Sequence, residues 1–308
     1  MHEISFRQLE YFVAAAETGT VTAAAAKVHL TQSAVSTSLA ELEENLGVQL
    51  FLRHARGLKL TAPGRQALAD ARRLLSGVDE LRDSARETQT SLSGSLVVGC
   101  YSTLAAVLLP RVIAAFVAKY PDVDLSFIEG SDQYLAGQLR SVGCDIALMY
   151  EAPELTLAKD LRMTALYAAE PYVLLPAHHR LAAQDEVSMT DLAAEPMVLF
   201  DLPPGATYFL SLFKDEDVTP NVRYRATNFE MARSLVAHGL GYSVLTQHPG
   251  ISISYDGIEI ATRPLTPRRP GLNVGIVRLT DLAPSRRATA FAEQCAETLG
   301  GSIDFFDG

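Results

Sequence analysis

Between Pro63 and Thr88, the residues Ala67, Ala71, Leu74, Val78, Leu81, Ala85 and Thr88 recur at alternating intervals of four and three. That spacing is a heptad seam flanked by charged positions, and it predicts one long helix. A small domain cannot cover a seam of this length, so it packs either on a second copy or on another part of its own chain. The run "SLSGS", Ser91–Ser95, follows it as a hinge. The chain is thereby divided into three parts: residues 1–62, the linker helix at 63–92, and residues 93–308.

The leading part reads as helices followed by a hairpin. Ser5 and Gln8 form a capping box opening a first helix, whose Phe6, Leu9, Val13 and Ala16 keep helical spacing until Gly19. Thr22 is expected to cap a short second helix, "AAAAKV", and Thr31 a third that stops at Gly47. In the third helix Val35, Leu39, Leu42 and Leu46 make one apolar face, while Ser33, Ser36, Thr37 and Ala40 point elsewhere. The runs "QLFLR" and "LKLT" around the turn "HARG" read as a wing, ended by Pro63-Gly64.

The third helix is uncharged at its start and carries Glu41, Glu43 and Glu44 further along. A helix that reads the major groove inserts its N-terminal residues, so this asymmetry fits a DNA-reading end. Gln32 can bond adenine bidentately, Ser33 and Ser36 can donate or accept, and the Thr37 methyl can touch a thymine methyl. The formal net charge is −10, yet residues 46–73 hold six cations, including Arg53, Arg56 and Lys59 on the wing, against the single acid Asp70. Such a confined basic patch supplies phosphate contacts without sequence information. The competing reading is a plain three-helix bundle whose Ser and Thr face water.

The matched residues also reach a family. The alanine run after Thr22, "TQSAVS", "LE..LG..LF.R" and "LT.PG" closely resemble the winged helix-turn-helix of LysR-type transcriptional regulators. The long helix and the remainder resemble that family in layout more than in motif. The resemblance implies an α/β fold with a linker helix and a bilobed, periplasmic-binding-protein-like effector domain. It also implies a homodimer or homotetramer on interrupted inverted repeats of double-stranded DNA, a small organic effector between the lobes, and contact with RNA polymerase. By position, Gln32, Ser33, Ser36 and Thr37 match the recognition residues and Arg53 the wing arginine. Many members carry Arg or Gln where this chain has Thr37 and Ser38, so its operator cannot be copied from relatives.

Beyond the hinge, short apolar strands alternate with helices: "LVVG", "VDLSFI", "DIALMY", "YVLLP", "PMVLF", "VRYRA" and "YSVLT", with helical runs near 104–119, 131–141, 206–214 and 228–238. This predicts mostly parallel sheets covered on both sides. The pattern restarts near Tyr172, so two lobes are expected, lobe I from about 93–165 and 268–308 and lobe II from about 166–267. Ligands in such lobes sit at strand carboxyl ends near helix N-termini. Ser102, Thr103, Ser131, Asp201, Thr227, Tyr242 and Thr246 occupy such places, although each Ser or Thr is also a natural helix cap. Asp201 repels a carboxylate and welcomes an amine there, or caps a helix beginning near Gly205.

Other classes fare less well. No P-loop, GxSxG, HExxH or complete GxGxxG is present, which argues against an enzyme, and neither a cofactor nor a metal site is expected. Cys100, Cys144 and Cys295 have no CxxC spacing, consistent with a reduced cytoplasmic setting. A thiol-based redox sensor needs exposed thiols, whereas these flank apolar runs. A solute-binding module without DNA activity leaves residues 1–62 unexplained. "TLAAVLLPRVIAAFVA" is broken by Pro110 and Arg111, so no membrane span is expected.

Overall fold

A computed structural model describes residues 4–54, 57–85, 92–151 and 157–299. The leading part comprises α1 (Phe6–Thr18), α2 (Val21–Lys27), α3 (Gln32–Leu46), β1 (Phe51–His54) and β2 (Gly57–Leu60), followed by the long α4 (Ala62–Ala85). The Ser5–Gln8 capping box forms, and Gly19 closes α1 in the left-handed conformation at φ 72°. The second helix is capped by Thr20 rather than Thr22. Gly19 ends α1 just before it, and the Thr20 hydroxyl accepts the Ala23 N–H at 3.1 Å, leaving Thr22 inside α2.

Thr31 caps α3 as expected, accepting the Ala34 N–H at 3.3 Å. Val35, Leu39 and Leu42 are buried with Leu9, Phe12, Ala24 and Leu50 in one core, where Phe12 meets Phe51 edge-on at 5.4 Å. Leu46 is exposed, because Gly47 turns the chain immediately after it at φ 68°. Glu43 bends inward instead: its Oε1 accepts the N–H groups of Leu50 at 2.6 Å and Phe51 at 3.0 Å, tying the wing to α3.

Pro63-Gly64 does not end the wing; both residues stand in the first turn of α4, which Thr61 caps by accepting the Gly64 N–H at 2.9 Å. Glycine is required there, since a Cβ would lie 2.1 Å from the Leu50 carbonyl oxygen. The seam on α4 divides its duties. Ala71 and the neighbouring Leu68 are buried in the leading core, while Leu74 and Leu81 are 55% and 67% exposed. Thr88 and the first residue of the expected hinge, Ser91, lie outside the described residues. Gly94 and Ser95, expected in that hinge, already pair with Val123 and Asp124 of a neighbouring strand.

The trailing part runs β3 (Gly94–Tyr101), α5 (Ser102–Lys119), β4 (Val123–Gly130), α6 (Asp132–Arg140), β5 (Ile146–Glu151), β6 (Leu161–Ala169) and β7 (Tyr172–Pro176). After a 3-10 turn at Arg180–Ala183 come β8 (Val187–Ser188), α7 (Met189–Ala193), β9 (Pro196–Phe200), α8 (Gly205–Lys214), β10 (Asn221–Ala226) and α9 (Phe229–Ala237). β11 (Ser243–Leu245), β12 (Ile260–Thr266), β13 (Leu272–Leu279) and α10 (Arg286–Leu299) complete it.

Two lobes result. Lobe I holds the sheet β4-β3-β5-β13-β6, and lobe II holds β11-β7-β12-β8 together with β10-β9, bridged at Met197 and Tyr242. The sheets are mixed rather than mostly parallel. β3 pairs parallel with β4 and β5, but the returning strand β13 runs antiparallel to β5 and β6, and β7 is antiparallel to β11 and β12. A strand that comes back from the other lobe enters its sheet from the opposite end, which the apolar spacing alone does not reveal.

Pro110 and Arg111 do not break the chain there: α5 is continuous through both, with Pro110 on its exposed side, where a missing N–H costs least. Among the described residues it is the one helix long and apolar enough to cross a membrane. Its apolar stripe, Leu104, Leu108, Val112 and Phe116, is instead spent on the lobe I core, with Phe116 edge-on to Phe291 of α10 at 5.2 Å.

Candidate DNA interface and interlobe cleft

The start of α3 is presented to solvent by its packing. With Val35, Leu39 and Leu42 turned inward, Gln32, Ser33 and Thr37 are exposed and Ser36 is half-buried. The run from Val28 to Ala40 holds no Lys, Arg, Asp or Glu. Lys27 is occupied by Glu17 at 2.7 Å. Arg53 and Lys59 are exposed on the wing, where Arg53 pairs with Leu58 and Leu52 with Lys59. Arg56 lies outside the described residues. The result is an uncharged helix tip beside a cationic hairpin, an arrangement suited to a base-reading element flanked by a phosphate-contacting one.

The second site lies where the lobes meet. Tyr101, at the end of β3, donates across to the Pro203 carbonyl at 2.6 Å, and its ring meets Tyr150 edge-on at 5.3 Å. The Tyr150 hydroxyl gathers groups from both lobes: Gln247 Nε2 donates to it at 2.5 Å, Thr103 Oγ1 lies at 3.4 Å, and Thr246 stands close by. Burial pushes the Tyr150 phenol up to about 12, so it stays neutral. Tyr172 donates to the Gln247 carbonyl at 2.6 Å and fixes that residue from below.

Of the cleft residues expected from sequence, Thr103 and Thr246 are thus brought together. Ser102 is the exposed first residue of α5, and Ser131 caps α6, accepting the Tyr134 N–H at 3.4 Å. Asp201 does not cap α8. Pro204 precedes that helix with no side-chain cap, and Asp201 accepts from Arg225 Nη1 at 3.1 Å, which neutralises it. Thr227 is exposed in the turn before α9, where Asn228 provides the cap through Oδ1 at 2.9 Å from the Met231 N–H. Tyr242 is buried against Phe213 of lobe II.

Sequence reasoning missed Tyr101, Tyr150 and Gln247, which were read only as parts of strands and loops. It also missed Asp132, the first residue of α6. Asp132 lines a pocket of about 150 Å³ with Ala136, Met149, Tyr150, Leu157 and Pro204. Its Oδ1 is buried without a hydrogen-bond partner among the described residues, and burial raises the carboxyl to about 7. The available signal was positional: an acid directly after a strand-ending glycine and a helix cap.

The model of the LysR substrate binding domain matches residues 89–300, and that of the bacterial regulatory helix-turn-helix protein, lysR family, matches residues 6–65. The chain belongs to the LysR family. This LysR-family protein is a DNA-binding transcriptional regulator with an effector-binding domain, not an enzyme. It is 32% identical to the transcriptional dual regulator GltC of Bacillus subtilis, over 79% of this chain and 81% of that protein. It is 30% identical to the HTH-type transcriptional regulator CfxR of Cupriavidus necator, over 97% and 95%. The crystal structure of HinK, a LysR family transcriptional regulator from Pseudomonas aeruginosa, superposes with a TM-score of 0.65 at 34% identity, covering 96% of this chain and 99% of that one.

Within the regulator, the cysteines are unsuited to sensing oxidants. All three are free and buried. Burial pushes the Cys144 thiol up to about 12 and raises those of Cys100 and Cys295 further from the thiolate range. Among the described residues, no cluster of His, Cys, Asp and Glu is placed to hold a metal.

Proposed function

We propose that this regulator acts in the cytoplasm as a self-associated dimer or tetramer on an interrupted inverted repeat, and that a small organic effector between its lobes sets how it contacts DNA and RNA polymerase. The observation that carries the reading is the uncharged, exposed start of α3 beside the cationic wing. Gln32, Ser33, Ser36 and Thr37 read base edges, while Arg53, Arg56 and Lys59 neutralise phosphates. Residues 1–62 form the DNA-binding unit, 63–92 the linker, and 93–308 the effector unit, with its ligand among Ser102, Thr103, Ser131, Thr227 and Thr246.

Two features support self-association. Leu74, on the heptad seam of α4, is 55% exposed. The lobe edges are also complementary in charge: β4 exposes Asp124, Phe127 and Glu129 on one lobe, and β10 exposes Arg223, Tyr224 and Arg225 on the other. A dimer places two recognition helices in successive major grooves, about 34 Å apart. Footprinting on promoter DNA with a salt titration tests this. Two protected half-sites one turn apart are expected, with log K falling linearly as log salt rises. A single protected half-site, or affinity indifferent to salt, overturns the reading.

A further inference from the structure

The pocket at the start of α6 says what kind of effector the cleft accepts. We infer that it takes a protonated amine carried on a compact apolar body, with Asp132 as the group that receives the ammonium. The inference rests on the effector lying between the lobes; it places the ligand in the pocket that joins that cleft at Tyr150, the partner of Thr103, and names its class.

Three observations lead there. First, Asp132 lines the pocket, and its Oδ1 is buried without a hydrogen-bond partner among the described residues, so no described group offsets the desolvation of that carboxyl. A ligand N–H recovers that loss, whereas a carboxylate ligand adds like charge in a site of low polarity. Second, apart from Gln133 and Arg140 the remaining wall is apolar or aromatic: Ala136, Met149, Leu157, Leu161, Pro204 and the ring of Tyr150. Its volume of about 150 Å³ matches a cavity that holds one benzene-sized ring, about 150 Å³ in a protein interior.

Third, the cation among the described residues lining the pocket is already paired. Arg140 reaches the far rim of the pocket, but Asp160 holds it with two hydrogen bonds, at 2.6 and 3.0 Å. The positive end of α6 is already met by the Asp132 carboxyl itself, its first residue. Asp201, which the sequence offered as an amine acceptor or a helix cap, pairs instead with Arg225 at 3.1 Å.

The groups facing Asp132 are Tyr101 of β3, Tyr150 of β5 and, at the rim, the Arg140–Asp160 pair. Burial raises both phenols, Arg140 is raised and Asp160 lowered by their mutual hydrogen bonds, so none of them titrates between pH 6 and 8. Asp132, raised by burial to about 7, does. It is mostly ionised at pH 8 and mostly protonated at pH 6, and a simple amine stays protonated at both.

Calorimetry on the full-length chain with benzylamine, benzyl alcohol and benzoate tests the assignment. Benzylamine is expected to bind at least tenfold tighter than the other two at pH 8. Its affinity is expected to fall by about tenfold at pH 6, following the ionised fraction of Asp132. Asp132→Asn removes both the preference and the pH dependence. Should that variant fail to fold, the pH series on the unaltered protein still decides.

Benzoate binding as tightly as benzylamine, or an amine affinity equal at the two pH values, overturns the ligand class. If benzoate binds and Ala136→Phe, which fills the pocket, abolishes it, the effector cleft stands and only the ligand class falls. If Ala136→Phe changes the binding of none of the three probes, the pocket is not the effector site and the inference falls, while probe binding lost on Thr103→Val leaves the effector cleft standing.

Discussion

The guanidinium of Arg72, on the long helix α4, donates through Nη2 to the carboxylate of Glu17 in α1 at 3.0 Å. Its Nη1 donates to the Ser141 carbonyl at 3.3 Å, and Ser141 is the residue that closes α6. One nine-residue helix therefore has the cleft carboxyl Asp132 at its start and a link to the DNA-binding unit at its end.

Arg72→Met should cost about 0.5–1 kcal/mol at neutral pH, a modest value because the Glu17 side chain is partly exposed. Burial raises the Glu17 carboxyl, but hydrogen bonds from Lys27 and Arg72 outweigh it, and the net pKa lies below the ordinary one. A depressed folded-state pKa contributes stability above the unfolded value and loses it as pH falls through the folded one. The cost of the substitution should accordingly be visible in urea midpoints at about pH 7 and shrink towards about pH 3.

Gln32→Ala and Arg53→Ala should fail in different ways. Loss of the Gln32 amide is expected to cost about 1–3 kcal/mol at one operator base pair and to relax preference there. Loss of the exposed Arg53 should weaken all duplexes alike and reduce the salt slope by about one. Binding to a set of singly substituted operators at several salt concentrations separates the two. An unaltered base preference in Gln32→Ala removes that side chain from the groove.

Tyr150→Phe deletes the hydroxyl on which Gln247 and Thr103 converge, and leaves the buried Gln247 amide without that acceptor. A buried donor left unpaired costs about 1–3 kcal/mol. The effector unit should lose that much in chemical denaturation, while residues 1–62, which contribute nothing to this cluster, keep their stability. An unchanged midpoint means the hydroxyl does not hold the lobes together.

Thiol chemistry offers a further check. Three buried thiols, all with raised pKa values, should be unreactive towards an aromatic disulfide reagent in the native protein and all reactive after denaturation. Operator binding should be the same before and after mild peroxide. A rapid native-state reaction at any of the three revives the redox-sensing reading.

Local signals in the sequence determined much of this protein. Caps at Ser5 and Thr31, the terminating glycines 19 and 47, the inward stripe Val35–Leu39–Leu42 and the alternation of apolar strands with helices all act within a few residues of each other, so spacing and residue type suffice to read them. Where two local signals stood side by side, as with Thr20 and Thr22 or at Pro63-Gly64, backbone geometry chose between them. The cleft was decided only by tertiary structure. Gln247 meets Tyr150 across 97 positions, Arg225 takes Asp201 out of play, and the pocket wall brings Pro204 to the same cavity as Asp132. Desolvation and pairing depend on neighbours that folding brings from distant segments, and for that reason spacing along the sequence did not reveal the buried Asp132 carboxyl.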